Sequence, residues 1–446
     1  MSVIVAFLFY AARVLRKPMD TRLKQRRAGP FVVFALGVLL LALWVGRRPQ
    51  EVTLGYFWGE VIGVAGVYLS SCSLLLATKA RWLEPWFGGL DRMYLWHKFT
   101  AVAMASTLPP HVLLSSAASE GTTGASTYQA GLVLGVASLL GLIALVLVSL
   151  PLVGKILHLS YCRWLFVHRL IGLFVLIAVL HGLFVDRVIA GSGLLKTVYL
   201  TVGVIGMVSY AYEELVMRRR LPTGDYTIER VARPAAGILE LHLAPVSNRL
   251  QPRAGQFIFV RISGDDAWRE HPFTVAGVTA AGHLRLTIRA VGDDTARMHA
   301  RLQPGLPATV TGPYGKFDYT VGRAHQIWIA GGIGIAPFLS WLTVLDAEDP
   351  YTIDVFYSTS TEAEAVYLAE LRSAEQRLAP LLRVHQVVTG VTGHLTGARV
   401  AALTEVTPET HVFLCGPGPM IDNLTRDLHR AGVPPDYIHA EHFSFR

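Results

Sequence analysis

The distribution of apolar positions splits the chain near Arg218 into two textures. Before that point, apolar runs approach or exceed the roughly 20 residues a helix needs to cross a bilayer. They lie at Phe31–Gly46, Leu54–Thr78, Met93–Ser115, Tyr128–Leu150, Cys162–Val185 and Leu194–Met217, which predicts six spanning helices. The first is short, at 16 residues. Met1–Ala12 is a further short apolar segment whose positive charge follows it, unlike a cleaved signal. Beyond Leu221-Pro222-Thr223-Gly224 the period changes to two, at Tyr226–Val231, Ile238–Leu243, Gln256–Ile262 and Leu284–Val291. Alternating runs separated by turn residues predict a small antiparallel barrel over residues 223–320. From residue 321 the order strand, glycine-rich turn, helix, strand, helix predicts a parallel α/β domain that runs to residue 446. The expected fold is therefore multi-domain: a segment over 1–30, a six-helix transmembrane bundle over 31–217, an antiparallel barrel, and a parallel-sheet α/β nucleotide-binding domain.

Composition agrees with a membrane origin for the first half. The mean hydropathy is +0.42. With 52% hydrophobic and 16% charged residues, the chain is too apolar for an ordinary soluble enzyme of its length. Lys and Arg collect on one set of loop ends, from Arg13 to Arg27, at Lys79, Arg81, Arg92 and Lys98, at Lys155, Arg163 and Arg169, and at Arg218–Arg220. The other set holds only Arg47, Arg48, Arg187 and Lys196. The positive-inside rule then puts both termini in the cytoplasm of a multi-pass protein of the cell membrane. The net charge of +8 is mostly this topology, and no basic stripe points to nucleic acid.

Four histidines stand inside these apolar spans as two spaced pairs, His97 with His111 on the third and His168 with His181 on the fifth. Ionisable side chains in hydrocarbon are costly and mark function, and imidazole is a favoured haem ligand. Both spans run from cytoplasm to exterior, so His97 pairs in level with His168, and His111 with His181. Spacings of 14 and 13 residues separate the two levels by roughly 20 Å at helical rise, which suits two stacked haems. The 13-residue spacing carries a tension, because in a straight helix it misses the same face by roughly 140°. Pro109 and Pro110 offer a distortion, but in the third span and not in the fifth. The structural alternative is four histidines hydrogen-bonded between helices, a reading that suits His158 in its loop but not two level-matched pairs. Cys72, Cys162 and Cys415 form no C-x-x-C-H motif and are too few for an iron–sulfur cluster, so the haems would be b-type.

These spacings resemble the ferric-reductase-like transmembrane domain shared by NADPH oxidases and cell-surface ferric reductases. By that resemblance Phe174, midway along the fifth span, lies between the haems. In the soluble half, His271-Pro272-Phe273-Thr274 resembles the flavin-binding motif of the ferredoxin-NADP reductase superfamily, and Arg289-Ala290-Val291-Gly292-Asp293-Asp294-Thr295 its pyrophosphate loop. Thr274 would meet the polar edge of FAD, Phe273 its ring, and Arg289, Gly292, Asp293 and Thr295 its diphosphate. Gly312-Pro313-Tyr314-Gly315, then Gly331-Gly332-Ile333-Gly334-Ile335-Ala336-Pro337, then Cys415-Gly416-Pro417 resemble the nicotinamide-binding half in the correct order. The resemblance puts Cys415 near hydride transfer and Phe443 over the flavin, with Phe445 as its alternative. It implies electron flow from NAD(P)H through FAD and two b-type haems to an acceptor outside, oxygen or a ferric chelate. The other expectation is an electron-donating membrane subunit for a partner redox protein or quinone. Ser115, one turn beyond His111, and a second span without Arg depart from the superoxide-forming members. Tyr357-Ser358-Thr359-Ser360 offers hydroxyls without Arg or an adjacent acid, so use of both NADPH and NADH is expected.

Overall fold

The computed structural model of the chain describes residues 21–116, 126–150, 153, 156–157, 161–217, 223–262 and 270–441. Met1–Ala12, Phe443 and Phe445 lie outside the described residues. The chain forms two compact units that divide between Arg219 and Arg220.

The first unit is helical. It comprises α1 (Thr21–Val45), α2 (Leu54–Ala77), α3 (Leu90–Ser116), α4 (Ser126–Ser149), α5 (Tyr161–Arg169), α6 (Ile171–Val185) and α7 (Gly193–Ala211), the last running on as a π-helical turn to Met217. Among the described residues five stretches are long and apolar enough to span a membrane: Ala28–Val45, Leu54–Ala77, Ser126–Ser149, Arg163–Val185 and Gly193–Val216. The sixth helix, α3, has the length at 27 residues but not the apolarity. Two histidines, Lys98, Thr100, Thr107 and two prolines occupy its middle.

Local backbone order differs from expectation at two places. α3 continues through Pro109 and Pro110 without a break. The interruption falls instead in the fifth span, at Leu170, between α5 and α6. There the Leu170 and Leu173 amides donate three residues back, to Val167 and Leu170. Such turns advance about 120° per residue against about 100° in an α-helix, which moves His181 towards the face of His168. Tyr210 of α7 supports the break: its hydroxyl donates to the Arg169 carbonyl at 3.0 Å. Its ring lies over Gly172, where a Cβ would come within 2.5 Å of it.

The second unit holds a closed six-stranded antiparallel barrel in the order β1-β2-β5-β4-β3-β6. The strands are β1 (Thr223–Ala235), β2 (Ile238–Pro245), β3 (Phe257–Ile262), β4 (His271–Val278), β5 (Leu284–Arg289) and β6 (Pro307–Tyr314), with helix α8 (Asp293–Arg301) between the last two. Ile228, Leu239, Leu241, Ile258, Val260, Val275 and Leu286 alternate inward to fill it. A parallel sheet follows in the order β11-β10-β7-β8-β9. Its strands are β7 (His325–Gly331), β8 (Thr352–Thr359), β9 (Leu382–Val388), β10 (His411–Cys415) and β11 (Ile438–Glu441). They connect through α9 (Ala336–Leu342), α10 (Leu368–Arg377), α11 (Gly397–Leu403) and α12 (Gly418–Arg430). β7, β8 and β10 are buried along almost their whole length, the pattern of a sheet covered on both faces.

Candidate functional site

The two predicted histidine pairs meet. His97 and His168 stand with ring centroids 6.3 Å apart and nearly perpendicular, at 88°. His111 and His181 are also 6.3 Å apart, at 82°. A single metal ion between two imidazoles needs two bonds of about 2 Å plus about 1 Å from each nitrogen to its ring centre, close to this separation. Each ring is held from behind through Nδ1. His97 donates to the Ser73 carbonyl at 2.9 Å, His111 to that of Gly59 at 2.8 Å, and His181 to that of Gly131 at 2.8 Å. His168 lies 3.0 Å from the Ser149 hydroxyl. A carbonyl can only accept, so Nδ1 carries the proton and Nε2 the lone pair that a metal requires.

The backing helices explain this arrangement. α2 runs along α3, and α4 along the fifth span, so each histidine-bearing helix has a small-residue partner. Gly59 and Gly131 supply the acceptor carbonyls. Four residues on, Gly63 and Gly135 make room for the rings: a Cβ would come within 2.8 Å of His111 or 2.6 Å of His181. Phe174 fills a notch at Gly141, between the two histidine levels. These glycines, Ser73 and Ser149 belong to none of the motifs above. The repeated small-x-x-x-small spacing of Gly59/Gly63 and Gly131/Gly135 was the available signal. Among the described residues no three His, Cys, Asp or Glu side chains converge on one point. Each pair therefore offers two ligands only, which fits a metal that brings its own equatorial donors, as haem does.

In the soluble unit the flavin motif lies on β4, against which α9 packs. Thr274 is 4% exposed, and its Oγ1 has no hydrogen-bond partner among the described residues. A buried hydroxyl without a partner is costly, and one beside the expected flavin edge fits a ligand's polar atom. His271 stacks with Phe273 at 6.1 Å and places Nε2 3.6 Å from Asp294. Pro272 pairs across to Phe259 of β3. At the start of α8, Thr295 is engaged with its own loop. Its hydroxyl accepts from the amides of Val291 and Gly292 at 3.0 and 3.1 Å, so it clasps the loop. Space above Gly292 is open, with nothing within 4 Å of a Cβ placed there. The side chain of Asp293 lies outside the described residues. Arg289, at the end of β5, reaches the other domain: its guanidinium lies 3.5 Å from Glu364 and beside Gly332.

The nucleotide half converges at the carboxyl ends of β7 and β10. From β7 the chain passes outward to β8 and β9, then returns to β10 on the other flank, so strand order reverses between β7 and β10. Ligands of open α/β sheets bind at such a reversal. The turns meeting there are Gly331–Ile335 and Cys415–Pro417. Gly332 takes a φ of +54°, open to glycine at little cost. Gly331 and Gly334 also let the two turns touch: side chains there would strike Met420 and Pro417, or the Cys415 carbonyl. Gly416 likewise lies against the Gly331 backbone. Pro337 is buried in the first turn of α9. Gly312 has a φ of +146°, and Tyr314 packs at 5.9 and 5.5 Å on Phe257 and Phe259. Cys415 is fully buried, and burial, with the Glu441 carboxylate second, pushes its thiol up, so it stays protonated.

The barrel and the sheet domain are also clamped to each other. Arg285 of β5 donates to Glu240 at 2.7 and 3.0 Å and to Glu370 of α10 at 2.8 and 2.9 Å. It also lies 5.4 Å over the Tyr367 ring. No sequence pattern announces this contact.

Three family descriptions match the chain in order. Residues 62–179 match the ferric reductase like transmembrane component, 227–318 an FAD-binding domain, and 328–426 an oxidoreductase NAD-binding domain. The reductase component of propane 2-monooxygenase from Mycolicibacterium smegmatis is 25% identical over 233 residues, 49% of this chain and 66% of that protein. A ferredoxin–NAD(P)+ reductase from Metapseudomonas resinovorans is 32% identical over 143 residues, 30% of this chain and 42% of that one. The chain spans 57–66% of the length of the first curated relatives it matches. Among solved structures, the flavohemoglobin of Malassezia yamatoensis superposes with a TM-score of 0.51 at 15% identity, covering 96% of this chain and 100% of that one, a likeness of fold.

Proposed function

We propose that this chain, a multi-pass NAD(P)H-dependent flavin oxidoreductase that joins a ferric-reductase-like transmembrane component to FAD- and NAD-binding domains, carries electrons across the membrane to an acceptor on the far side. The observation that carries this reading is the two facing histidine pairs, each 6.3 Å apart, with Nδ1 of the rings anchored from behind. His97 and His168 would hold one b-type haem, and His111 and His181 a second. Thr274, Phe273, His271, Arg289 and the Gly292 loop would hold FAD, and the turns at Gly331 and Cys415 the nicotinamide nucleotide. When bound, FAD would supply the conversion of a hydride's electron pair into single electrons, and haem their passage through an apolar layer.

The chain's own residues do the rest. The buried Thr274 hydroxyl orients the flavin edge, the protonated Cys415 thiol lines the transfer position without competing as a nucleophile, and the apolar spans exclude water from the path. The loop distribution of Lys and Arg orients the path outward, with both termini cytoplasmic. The acceptor would be oxygen or a ferric chelate. A second reading, donation to a partner redox protein, draws on the relatives that are reductase components of multicomponent oxygenases.

A pyridine haemochrome assay of purified protein should find two b-type haems per chain, and His97→Ala or His181→Ala should each lower that content. Haem content unchanged by both substitutions would refute the assignment. NAD(P)H-driven reduction of ferric chelate, cytochrome c and oxygen, with and without superoxide dismutase, separates the acceptors. Cytochrome c reduction abolished by dismutase indicates an oxidase; ferric reduction that persists without oxygen indicates a ferric reductase. A stoichiometric co-purifying protein and negligible turnover on small acceptors would favour the partner reading.

A further inference from the structure

The four imidazoles are not anchored alike. His97, His111 and His181 have main-chain carbonyls as acceptors, which no substitution deletes. His168 has a side chain. Ser149 Oγ lies 3.0 Å from His168 Nδ1, while its own hydrogen is donated to the Leu145 carbonyl at 2.7 Å. A hydroxyl has one hydrogen, so toward His168 it can only accept. Trp164, one turn earlier, stacks on the same imidazole at 5.0 Å and 16°, so the ring's plane is fixed by the indole and its rotation within that plane by the hydroxyl.

We propose that Ser149 is a positioning residue that orients His168 and sets the redox potential of the inner haem independently of the outer one. The inference rests on the two-haem reading above. An acceptor on Nδ1–H raises the basicity of the imidazole as a ligand through Nε2. A more basic axial ligand favours the ferric state, so it lowers the potential, and hydrogen bonding around the ligands is a known lever on haem. Among the described contacts His168 alone relies on a side chain without a carbonyl beside it, since His111, with Ser115 Oγ at 3.4 Å, keeps the Gly59 carbonyl at 2.8 Å. Ser73 provides the control. Its hydroxyl also lies 2.9 Å from His97 Nδ1, but its carbonyl, at 2.9 Å, accepts the same proton and survives replacement by Ala.

The test compares full-length wild type, Ser149→Ala, Ser149→Thr and Ser73→Ala, each purified from membranes. Haem is counted by pyridine haemochrome, the two midpoints are read by spectroelectrochemical titration, and haem loss is followed by transfer to apomyoglobin. Ser149→Ala should raise one midpoint, leave the other in place, and weaken retention of that haem about 10- to 100-fold. Ser149→Thr, which keeps the hydroxyl, should restore both, and Ser73→Ala should move neither. Loss of one haem in Ser149→Ala with both kept in Ser149→Thr supports the same role. The proposal is overturned if Ser149→Ala leaves both midpoints fixed or moves both equally, if Ser73→Ala shifts as much, or if Ser149→Thr fails to rescue. Wild type with no haem at all would instead remove the two-haem reading itself.

Discussion

Thr274→Val tests the flavin site through two effects of opposite sign. Valine keeps the β-branched shape that suits β4 and deletes only the hydroxyl. That hydroxyl is 4% exposed and has no partner among the described residues. A buried unsatisfied polar group costs about 1–3 kcal/mol, so its removal should stabilise flavin-free protein by about 1 kcal/mol. With flavin bound, the same hydroxyl gains a partner worth about 0.5–1.5 kcal/mol, so the variant should bind FAD about 2- to 13-fold more weakly. Flavin fluorescence titration of deflavinated full-length protein reads the second effect, and thermal unfolding of the same preparation reads the first. A flavin-facing role for Thr274 is refuted if the variant destabilises the flavin-free protein, or if FAD affinity stays the same. Either result would mean that Thr274 Oγ1 serves the fold and not the ligand.

Three further outcomes are expected. Gly135→Ala puts a Cβ 2.6 Å from the His181 ring, so the ring must leave the Gly131 carbonyl; haem content should fall by about one per chain, and two haems retained would contradict the geometry. Arg285→Ala removes the cation between Glu240 and Glu370. Counting only the Glu240 arm, because Glu370 is 41% exposed, the loss is about 1.5–3 kcal/mol, or about 3–12 °C in the temperature of flavin release; a shift under about 1 °C would show the clamp to be idle. Burial alone would raise the Glu240 carboxyl, but hydrogen bonds from Arg285 and His242 outweigh it and hold it below the usual range. The clamp's stabilisation is therefore full above the ordinary carboxylate pKa and fades as pH falls through the depressed value, so the gap between wild type and Arg285→Ala should close in acid. NADPH and NADH should both support turnover, within about a hundredfold or roughly 2.7 kcal/mol of each other; a larger preference would expose a determinant beyond Tyr357–Ser360.

Much of the architecture was legible in the sequence because the relevant forces act locally. A bilayer demands long apolar runs, and a pleated strand demands alternation, so the change of texture near Arg218 and the split at Arg219 coincide. The histidines stood out because imidazole is rare in hydrocarbon, and two level-matched pairs allowed few partners. Glycine-rich turns after strands signalled the nucleotide half, because close backbone approach restricts the residue types that fit.

The tertiary structure alone decided how these parts engage. In spans that are apolar on every side, no periodicity says which face meets which neighbour, so the backing of α3 by α2 and of the fifth span by α4 could not be read from pattern. With that packing came the Gly59 and Gly131 carbonyls, the clearance at Gly63 and Gly135, and the Ser149 hydroxyl on His168. The 13-residue spacing looked awkward because a straight helix was assumed; the turn at Leu170, held by Tyr210 from 40 residues away, changes the phase. Thr295 clasps its own loop and Arg289 crosses to Gly332 for the same reason. A motif restricts which residue types can occupy a turn, but the destination of each polar atom is set by long-range neighbours that local sequence does not encode.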